Sequence, residues 1–162
     1  MRKQVWQYQC EHCGMKSTAA WWVKKHEMGC TKNPKRECGV CRKLLEQAQP
    51  KIEDLIALLP AEDIRLIEVR LQDPEAFDCD MIYLEMALTL SAALASLKEA
   101  SGGCPACMLA AMRQDSRDCG SASWVSLFTG SLGGADHNFN FKEIMAECRE
   151  RYREGNHLGG AM

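Results

Sequence analysis

The chain has 162 residues, of which 46% are hydrophobic, so it can bury a sizeable core, and wholesale disorder is excluded. The formal net charge is −2, but residues 1–43 carry ten Lys/Arg and three Glu (net +7), whereas residues 44–162 carry ten Lys/Arg and nineteen Asp/Glu (net −9). A basic arm on an acidic body favours a nucleic-acid partner for the arm, or lysines that only solvate a small module.

Proline, glycine and clusters of polar residues mark boundaries that divide the chain into four predicted parts. These are a small finger-like module over 1–30, a polar linker over 31–37 (TKNPKRE), a helical domain over 38–154 and a flexible tail over 155–162. In the helical domain, apolar spacings of three and four residues predict helices over 41–49, 51–59, 61–72, 78–100, 104–114 and 141–154. Residues 115–140 are the least regular, and SWVSLF (123–128) fits a short helix or a strand.

The most apolar stretch, residues 81–97, is 17 residues long and contains Glu85. It is short and interrupted for a membrane span, so we expect a buried core helix. No apolar signal segment precedes the first cysteine pair. We therefore expect an intracellular, cytoplasmic protein with no membrane partner.

Ten cysteines are the most informative feature of the composition, and six of them form three C-x2-C pairs. Pairs this close are poor disulfide partners and good two-donor clamps for a metal ion. The first pair belongs to the spacing C-x2-C-x12-H-x3-C, at Cys10, Cys13, His26 and Cys30. His26 and Cys30 lie four residues apart, so they project from one helix face towards the cysteine knuckle. Thiolate and imidazole donors in tetrahedral arrangement are typical of zinc.

Residues 6–30 resemble the ββα zinc-finger family, in its variant with cysteine as the last ligand. Tyr8 matches the aromatic residue of that family two positions before the first cysteine, and Val23 stands where leucine is preferred. Ser17 departs from the pattern, because an aromatic residue is usual there; Trp21 or Trp22 is expected to fold in as its replacement. The resemblance implies two short strands, one helix and a structural zinc ion, and it covers no other part of the chain.

The helix of such a finger would present Ala19, Trp21, Trp22 and Lys25 to a duplex, and these residues do not match the donor and acceptor pattern of base edges. Three uses are open for the tryptophans: stacking on unpaired bases, anchoring a protein interface, or packing against the helical body. For at least one of the pair we expect packing against the body. The residues predicted to contact nucleic acid or another partner are Lys16, Trp21, Trp22, Lys24, Lys25, Lys32, Lys35 and Arg36.

Two further C-x2-C pairs, Cys38/Cys41 and Cys104/Cys107, each precede a predicted helix. Free N–H groups at a helix start favour thiolates, so the two pairs are expected to close one all-cysteine zinc site. Two alternatives are a [4Fe–4S] cluster, which also takes four thiolates, and dithiol redox chemistry. The expected fold class is therefore mostly α: a small ββα zinc finger attached to a helical domain closed by a second, all-cysteine zinc site.

No catalytic motif is present in the sequence, so we predict a non-enzymatic adaptor or regulator with two zinc ions. Its basic finger would contact nucleic acid or a nucleoprotein complex, and its acidic helical body would bind a protein partner. The alternative is a purely protein-directed module, such as an inhibitor or an assembly subunit, with structural zinc. The remaining cysteines are predicted to be buried apolar residues, and the remaining histidines to lie outside the metal sites: Cys79, Cys119, Cys148, His12, His137 and His157.

Overall fold

The computed structural model describes residues 6–73, 75, 77–117, 123–129 and 139–158. Residues 155–158 are described by their backbone alone. A two-stranded antiparallel sheet at the N-terminus is followed by helices throughout the described part of the chain. The elements are β1 (Tyr8–Gln9), β2 (Lys16–Ser17), α1 (Ala20–Gly29), a π-helical turn (Cys41–Leu45), α2 (Ile52–Ile56), α3 (Ala61–Leu71), α4 (Cys79–Ala100), α5 (Pro105–Gln114), α6 (Trp124–Thr129) and α7 (Phe141–Leu158).

Residues 6–30 form a zinc-finger-like module, a hairpin followed by one helix. Tyr8 pairs with Ser17 and Gln9 with Lys16 across the hairpin. Between the strands the chain turns at Gly14, whose φ of +75° favours glycine, and the Gly14 N–H donates to the Cys10 carbonyl at 2.9 Å. The apolar centre of the module is small: Val23 is buried beside Cys10 and Cys30. A module with so little buried apolar surface needs another source of stability.

The helical body packs around α5, most of whose residues are buried. Helix α5 contacts α2, α4, α6 and α7, and α3 packs against α4. Trp124 and Phe128 on α6 are fully buried against this core. The prediction of a mostly α fold with two separate cysteine-rich clusters is confirmed, and SWVSLF is a helix rather than a strand. Helix α7 continues to Leu158, so it includes the first four residues of the predicted tail.

The prediction of a regular helix over residues 41–49 is wrong. A π-helical turn ends at Leu45, and Glu46 has a left-handed φ of 49°. The following glutamines use their side chains to fix this irregular segment. Gln49 accepts the Cys38 N–H at 2.5 Å, and Gln47 donates to the Ser101 carbonyl at 2.8 Å. The Gln47 bond joins the segment to the end of α4, and the Gln49 bond joins it to the start of the Cys38/Cys41 pair.

The prediction of a buried core helix over α4 is only half right. One face is buried through Ile82, Met86, Leu90, Ala93 and Leu97. The opposite face is apolar too, and it lies in solvent. Among the described helices α4 alone has the length and composition to cross a membrane, a property that it shares with core helices. Helix α4 is therefore apolar on two faces, and only one of them packs against the rest of the described chain.

The predicted linker is tied to the body. The Arg113 guanidinium donates to the Thr31 hydroxyl at 2.6 Å, and the Gln114 amide donates to the carbonyls of Thr31 at 2.8 Å and Asn33 at 3.2 Å. The Asn33 amide in turn donates to the carbonyl of Glu27, at the end of α1, at 2.7 Å. The finger is therefore joined to the end of α5 by hydrogen bonds. The predicted domain boundaries themselves stay predictions.

Candidate metal centres

The first candidate centre consists of Cys10, Cys13, His26 and Cys30. Their ligand atoms all lie within 4.8 Å of one another, and the Cys13 Sγ is 3.2 Å from the His26 Nε2. The hairpin turn supplies the first two residues, and the last turn of α1 with its C-cap supplies the other two. Cys10 and Cys30 are buried, whereas Cys13 and His26 are half-buried. The four residues predicted from the spacing thus come together as one cluster.

The ionisation of these thiols depends on their neighbours. Burial raises the pKa of Cys13, but hydrogen bonds from the Met15 backbone and from His26 outweigh it and lower the pKa to about 7. Burial raises the pKa of Cys30, and the neighbouring Cys13 raises it further. One donor of this set is therefore easily ionised, and another requires a nearby cation to become a thiolate.

The second candidate centre consists of Cys38, Cys41, Cys104 and Cys107, and it lies inside the core of the body. Its four Sγ atoms also lie within 4.8 Å of one another. Cys38 Sγ is 3.5 Å from Cys104 Sγ, and Cys41 Sγ is 3.6 Å from Cys107 Sγ. None of the four residues is more than 4% exposed. The two knuckles, separated by 62 residues of sequence, therefore meet as the geometry of one site requires.

Both knuckles precede a helical turn, as predicted. Cys104 is the N-cap of α5, Pro105 occupies the first position of the helix, and the Met108 N–H donates to the Cys104 carbonyl at 3.1 Å. Cys41 opens the π-helical turn. These helix starts hold the two pairs of sulfur atoms on separate elements, near the N-terminal, positive end of each helical dipole.

A buried arginine lies against the second cluster. Arg36 is 5% exposed, and its guanidinium Nη1 donates to the Cys107 Sγ at 3.6 Å. The Gln47 amide donates to the Cys41 Sγ at 3.7 Å. A cation and an amide donor beside four buried thiols stabilise negative charge on sulfur. This arrangement corrects one prediction, because Arg36 points into the protein and is not available to a nucleic acid.

The four thiols of the second cluster cannot all carry charge by themselves. Hydrogen bonding from Cys104 lowers the pKa of Cys38, and hydrogen bonding with Cys107 and Cys38 raises the pKa of Cys104. One divalent cation in their midst would allow all four to ionise, because its charge offsets their mutual repulsion.

The spacing of the sulfur atoms tests which metal group fits. Four sulfurs at about 2.3 Å from one central ion form a tetrahedron with edges of about 3.8 Å. The 3.5 and 3.6 Å separations in the second cluster approach that edge. A [4Fe–4S] cluster places four iron atoms between its thiolates, so its sulfurs stand further apart than the 4.8 Å limit observed here. Each centre is therefore suited to a single ion.

The predicted contact residues of the finger and linker, apart from Arg36, are exposed: Lys16, Trp21, Trp22, Lys24, Lys25, Lys32 and Lys35. Trp21 is 67% exposed and Trp22 is 40% exposed. The Trp22 ring stacks on His26 with centroids 5.7 Å apart and an interplanar angle of 10°. The expectation that one tryptophan is buried against the body is wrong, and Trp22 instead covers a metal-ligand candidate of its own finger. Neither ring joins the finger's small core, which Val23 and Met15 occupy.

Two basic residues were missed by the prediction. Arg42 and Lys43 are exposed directly after the second knuckle, and with Lys25 they line a groove of about 500 Å³ between finger and body. The sequence shows that these two residues follow Cys41, but only the fold shows that they line the same groove as Lys25. Arg42 also forms an exposed ion pair with Glu37 at 3.5 Å.

The cysteines and histidines outside the two clusters differ in their burial. Cys148 is buried, as expected, with its Sγ 3.7 Å from the Gly103 carbonyl. Cys79, predicted to be buried, is only half-buried, because it begins the exposed end of α4. His12 is exposed and lies outside the first cluster. Cys119, His137 and the His157 side chain lie outside the described residues.

No protein-family model, curated protein or solved structure matches this chain.

Proposed function

We propose that the chain is a non-enzymatic adaptor or regulator with two structural zinc ions, and that its N-terminal module is a ββα zinc finger. The donor chemistry supports zinc: one set has three cysteines and a histidine, the other has four cysteines, and each is compact enough for a single tetrahedral ion. Both sets use all four positions for protein ligands, which is typical of structural rather than catalytic zinc.

We further propose that the finger binds single-stranded nucleic acid, alone or within a nucleoprotein complex. The observation that carries this proposal is the exposure of Trp21 beside exposed Lys24 and Lys25 on α1. Base stacking on an aromatic side chain stabilises such complexes by about 1–3 kcal/mol per base, and lysines bind the adjacent phosphates. The groove that contains Lys25, Arg42 and Lys43 would extend this basic surface towards the body.

The experiment measures binding of a fluorescein-labelled oligonucleotide of mixed sequence by the zinc-loaded chain over a range of salt concentrations. Lys24→Glu with Lys25→Glu is expected to abolish binding or to flatten the salt slope by about 1.4, since each phosphate contact contributes about 0.7 for single strands. Trp21→Ala should weaken binding roughly 5- to 100-fold at every salt concentration.

The matched control is Lys51→Glu with Lys142→Glu, which makes the same change in charge at exposed positions of the body. It should leave the salt slope unchanged. A zinc-loaded protein that binds no oligonucleotide at low salt, or a control pair that weakens binding as much as the finger pair, contradicts the proposal.

The second candidate function is a purely protein-directed module, an inhibitor or assembly subunit in which the finger only supports the fold. It is favoured by the exposed apolar side chains of α3 and α4 on the acidic body, among them Leu66, Val69 and Leu88. Loss of partner binding on changing these residues, with no oligonucleotide binding by the same protein, would support this alternative.

A further inference from the structure

The uncovered face of α4 has an ordered composition. Its exposed apolar positions are Met81, Leu84, Leu88, Ala92 and Ala95, called here the α4 stripe. At 3.6 residues per turn, the five residues lie within about 40° on either side of Leu88. This stripe is opposite the buried face of the same helix, so α4 has the pattern of a helix that is packed on both sides.

The α4 stripe is symmetric about Leu88. Its positions lie 7 and 4 residues before Leu88 and 4 and 7 residues after it. The side chains on the N-terminal half are large, Met81 and Leu84, and those on the C-terminal half are small, Ala92 and Ala95. An antiparallel copy of the helix, related by a two-fold axis at Leu88, would place each large side chain over a small one. That is the self-complementarity that a two-fold interface requires.

One pair of charges beside the stripe agrees with the same arrangement. Asp80 and Lys98 are exposed, and both lie about 80° to the same side of the stripe on the helical wheel. In the antiparallel pair, Asp80 of one copy lies within about two residues, roughly 3 Å along the axis, of Lys98 of the other. The two-fold axis produces this opposite-charge contact twice.

The exposed apolar area is close to what a stable dimer buries. Met81, Leu84 and Leu88 are 60%, 51% and 63% exposed, and Phe77 is 45% exposed at the start of the helix. On the neighbouring α3, Leu66 and Val69 are 61% and 58% exposed. At about 100 Å² for each half-exposed side chain, these six contribute roughly 600 Å², against about 800 Å² per partner in a standard interface.

Helix α3 forms an ion pair with α4 beside the α4 stripe. A groove of about 410 Å³ runs along α4 beside Phe77, Met81, Leu84 and Leu88. The Arg70 guanidinium of α3 forms a bidentate pair with Glu85 of α4, both bonds being 2.9 Å long. The pair connects α3 to α4 next to this groove.

We propose that two copies of the chain associate through the α4 stripe, with the α4 helices antiparallel and a two-fold axis at Leu88. The α3–α4 pairs of the two copies then form a four-helix layer. The dimer displays two basic fingers on one assembly, so a nucleic acid or a nucleoprotein complex could be bound at two points. This last consequence depends on the proposed function, but the dimer itself does not.

Sedimentation equilibrium of the zinc-loaded 162-residue chain at about 1–100 μM tests the proposal. We expect a mass of twice 18.1 kDa for the wild-type chain. Leu88→Asp places two carboxylates together at the axis and should raise the dimer dissociation constant at least 100-fold. Tyr83→Asp is the matched control: it adds the same charge to an exposed position of α4 about 140° away from Leu88, and it should stay dimeric.

A charge exchange tests the orientation of the helices. Asp80→Lys alone and Lys98→Asp alone should each weaken the dimer about 3- to 30-fold, and the double variant should recover the wild-type constant, since only the antiparallel pair brings these residues together. Far-UV circular dichroism verifies that every variant is folded. A wild-type monomer at 100 μM, a dimeric Leu88→Asp variant, no recovery in the double variant, or a monomer that partitions into phosphatidylcholine vesicles through α4 overturns the proposal.

Discussion

Replacing one ligand of the buried four-cysteine cluster should destabilise the whole helical body. In Cys107→Ser the knuckle on α5 loses one of its two thiolates, and the guanidinium of Arg36 loses its sulfur acceptor at 3.6 Å. The connection between the segment around Cys41 and the start of α5 then depends on three ligands. The perturbation adds no bulk, so a loss of stability beyond that of a buried Cys→Ser change outside the clusters reports on the metal bridge.

The size of the effect follows from the length of chain that the bridge closes. Cys41 and Cys104 are separated by 62 residues, and cross-linking a loop of that length stabilises a fold by about 4 kcal/mol through the entropy of the unfolded chain. Domains have total stabilities of about 5–15 kcal/mol, so a contribution of about 4 kcal/mol is between roughly a quarter and four fifths of the total. We expect Cys107→Ser to lower the free energy of unfolding by about 3–4 kcal/mol.

Urea unfolding followed by the fluorescence of Trp124 measures this change, since Trp124 is 2% exposed within the body and Trp21 and Trp22 are exposed in the folded finger. The matched control is Cys148→Ser, a buried cysteine outside both clusters, which should cost only about 1 kcal/mol. If Cys107→Ser unfolds at the same urea concentration as Cys148→Ser and keeps two metal ions per chain, the reasoning about the second cluster is wrong.

Other changes probe the buried polar groups. Arg36→Gln removes the buried cation beside Cys107, so it should weaken metal retention in chelator competition about 10- to 100-fold, and Arg36→Lys should recover part of the loss. Equal metal retention in the wild-type chain and both variants would contradict a role for this charge. The Asp115 side chain is 1% exposed and accepts a hydrogen bond from the Trp124 indole at 2.8 Å, so Asp115→Asn should cost about 2 kcal/mol at pH 7. Although burial raises the pKa of Asp115, hydrogen bonds from Arg117 and Trp124 lower it overall, below 3.8, so this stabilisation should be constant from pH 8 to pH 5 and be lost only as the pH falls below 3.8. Urea unfolding of both proteins at pH 7 and pH 5 checks this, and a difference that shrinks by pH 5 would contradict it.

The metal centres could be predicted from the sequence because their information is local. A C-x2-C pair can form one knuckle, and His26 and Cys30 are one helical turn apart, so spacing alone places four donors together. The second centre needed one further assumption, that two distant knuckles meet. Helix-forming sequence after each knuckle supported that assumption, and the structure brings Cys38/Cys41 to Cys104/Cys107.

The irregular segment after Cys41 could not be predicted, because its conformation depends on distant partners. CRKLLEQAQ has the composition of an ordinary helix, yet it turns at Glu46. Gln47 forms a hydrogen bond to Ser101, 54 residues further along the chain, and that contact exists only once the body has folded. Tertiary contacts override local helix propensity here.

The exposure of the tryptophans and of α4 has a different cause. A sequence shows that a residue is apolar, but it does not show how many helices are present to cover it. For α4 the body supplies enough neighbours to cover one face, and the α4 stripe is left over. For the same reason the sequence could not show that Arg36 is buried against Cys107, and it grouped Arg36 with the basic arm.

Zinc K-edge X-ray absorption of the purified chain, combined with metal analysis, tests the central claim most directly. We predict two zinc ions per chain, with an average for each zinc of about three and a half sulfur neighbours at about 2.3 Å and about half a nitrogen neighbour at about 2.0 Å. These averages are what one site of three cysteines and a histidine and one site of four cysteines require. A folded chain that contains no metal, or iron with iron neighbours, would contradict the account.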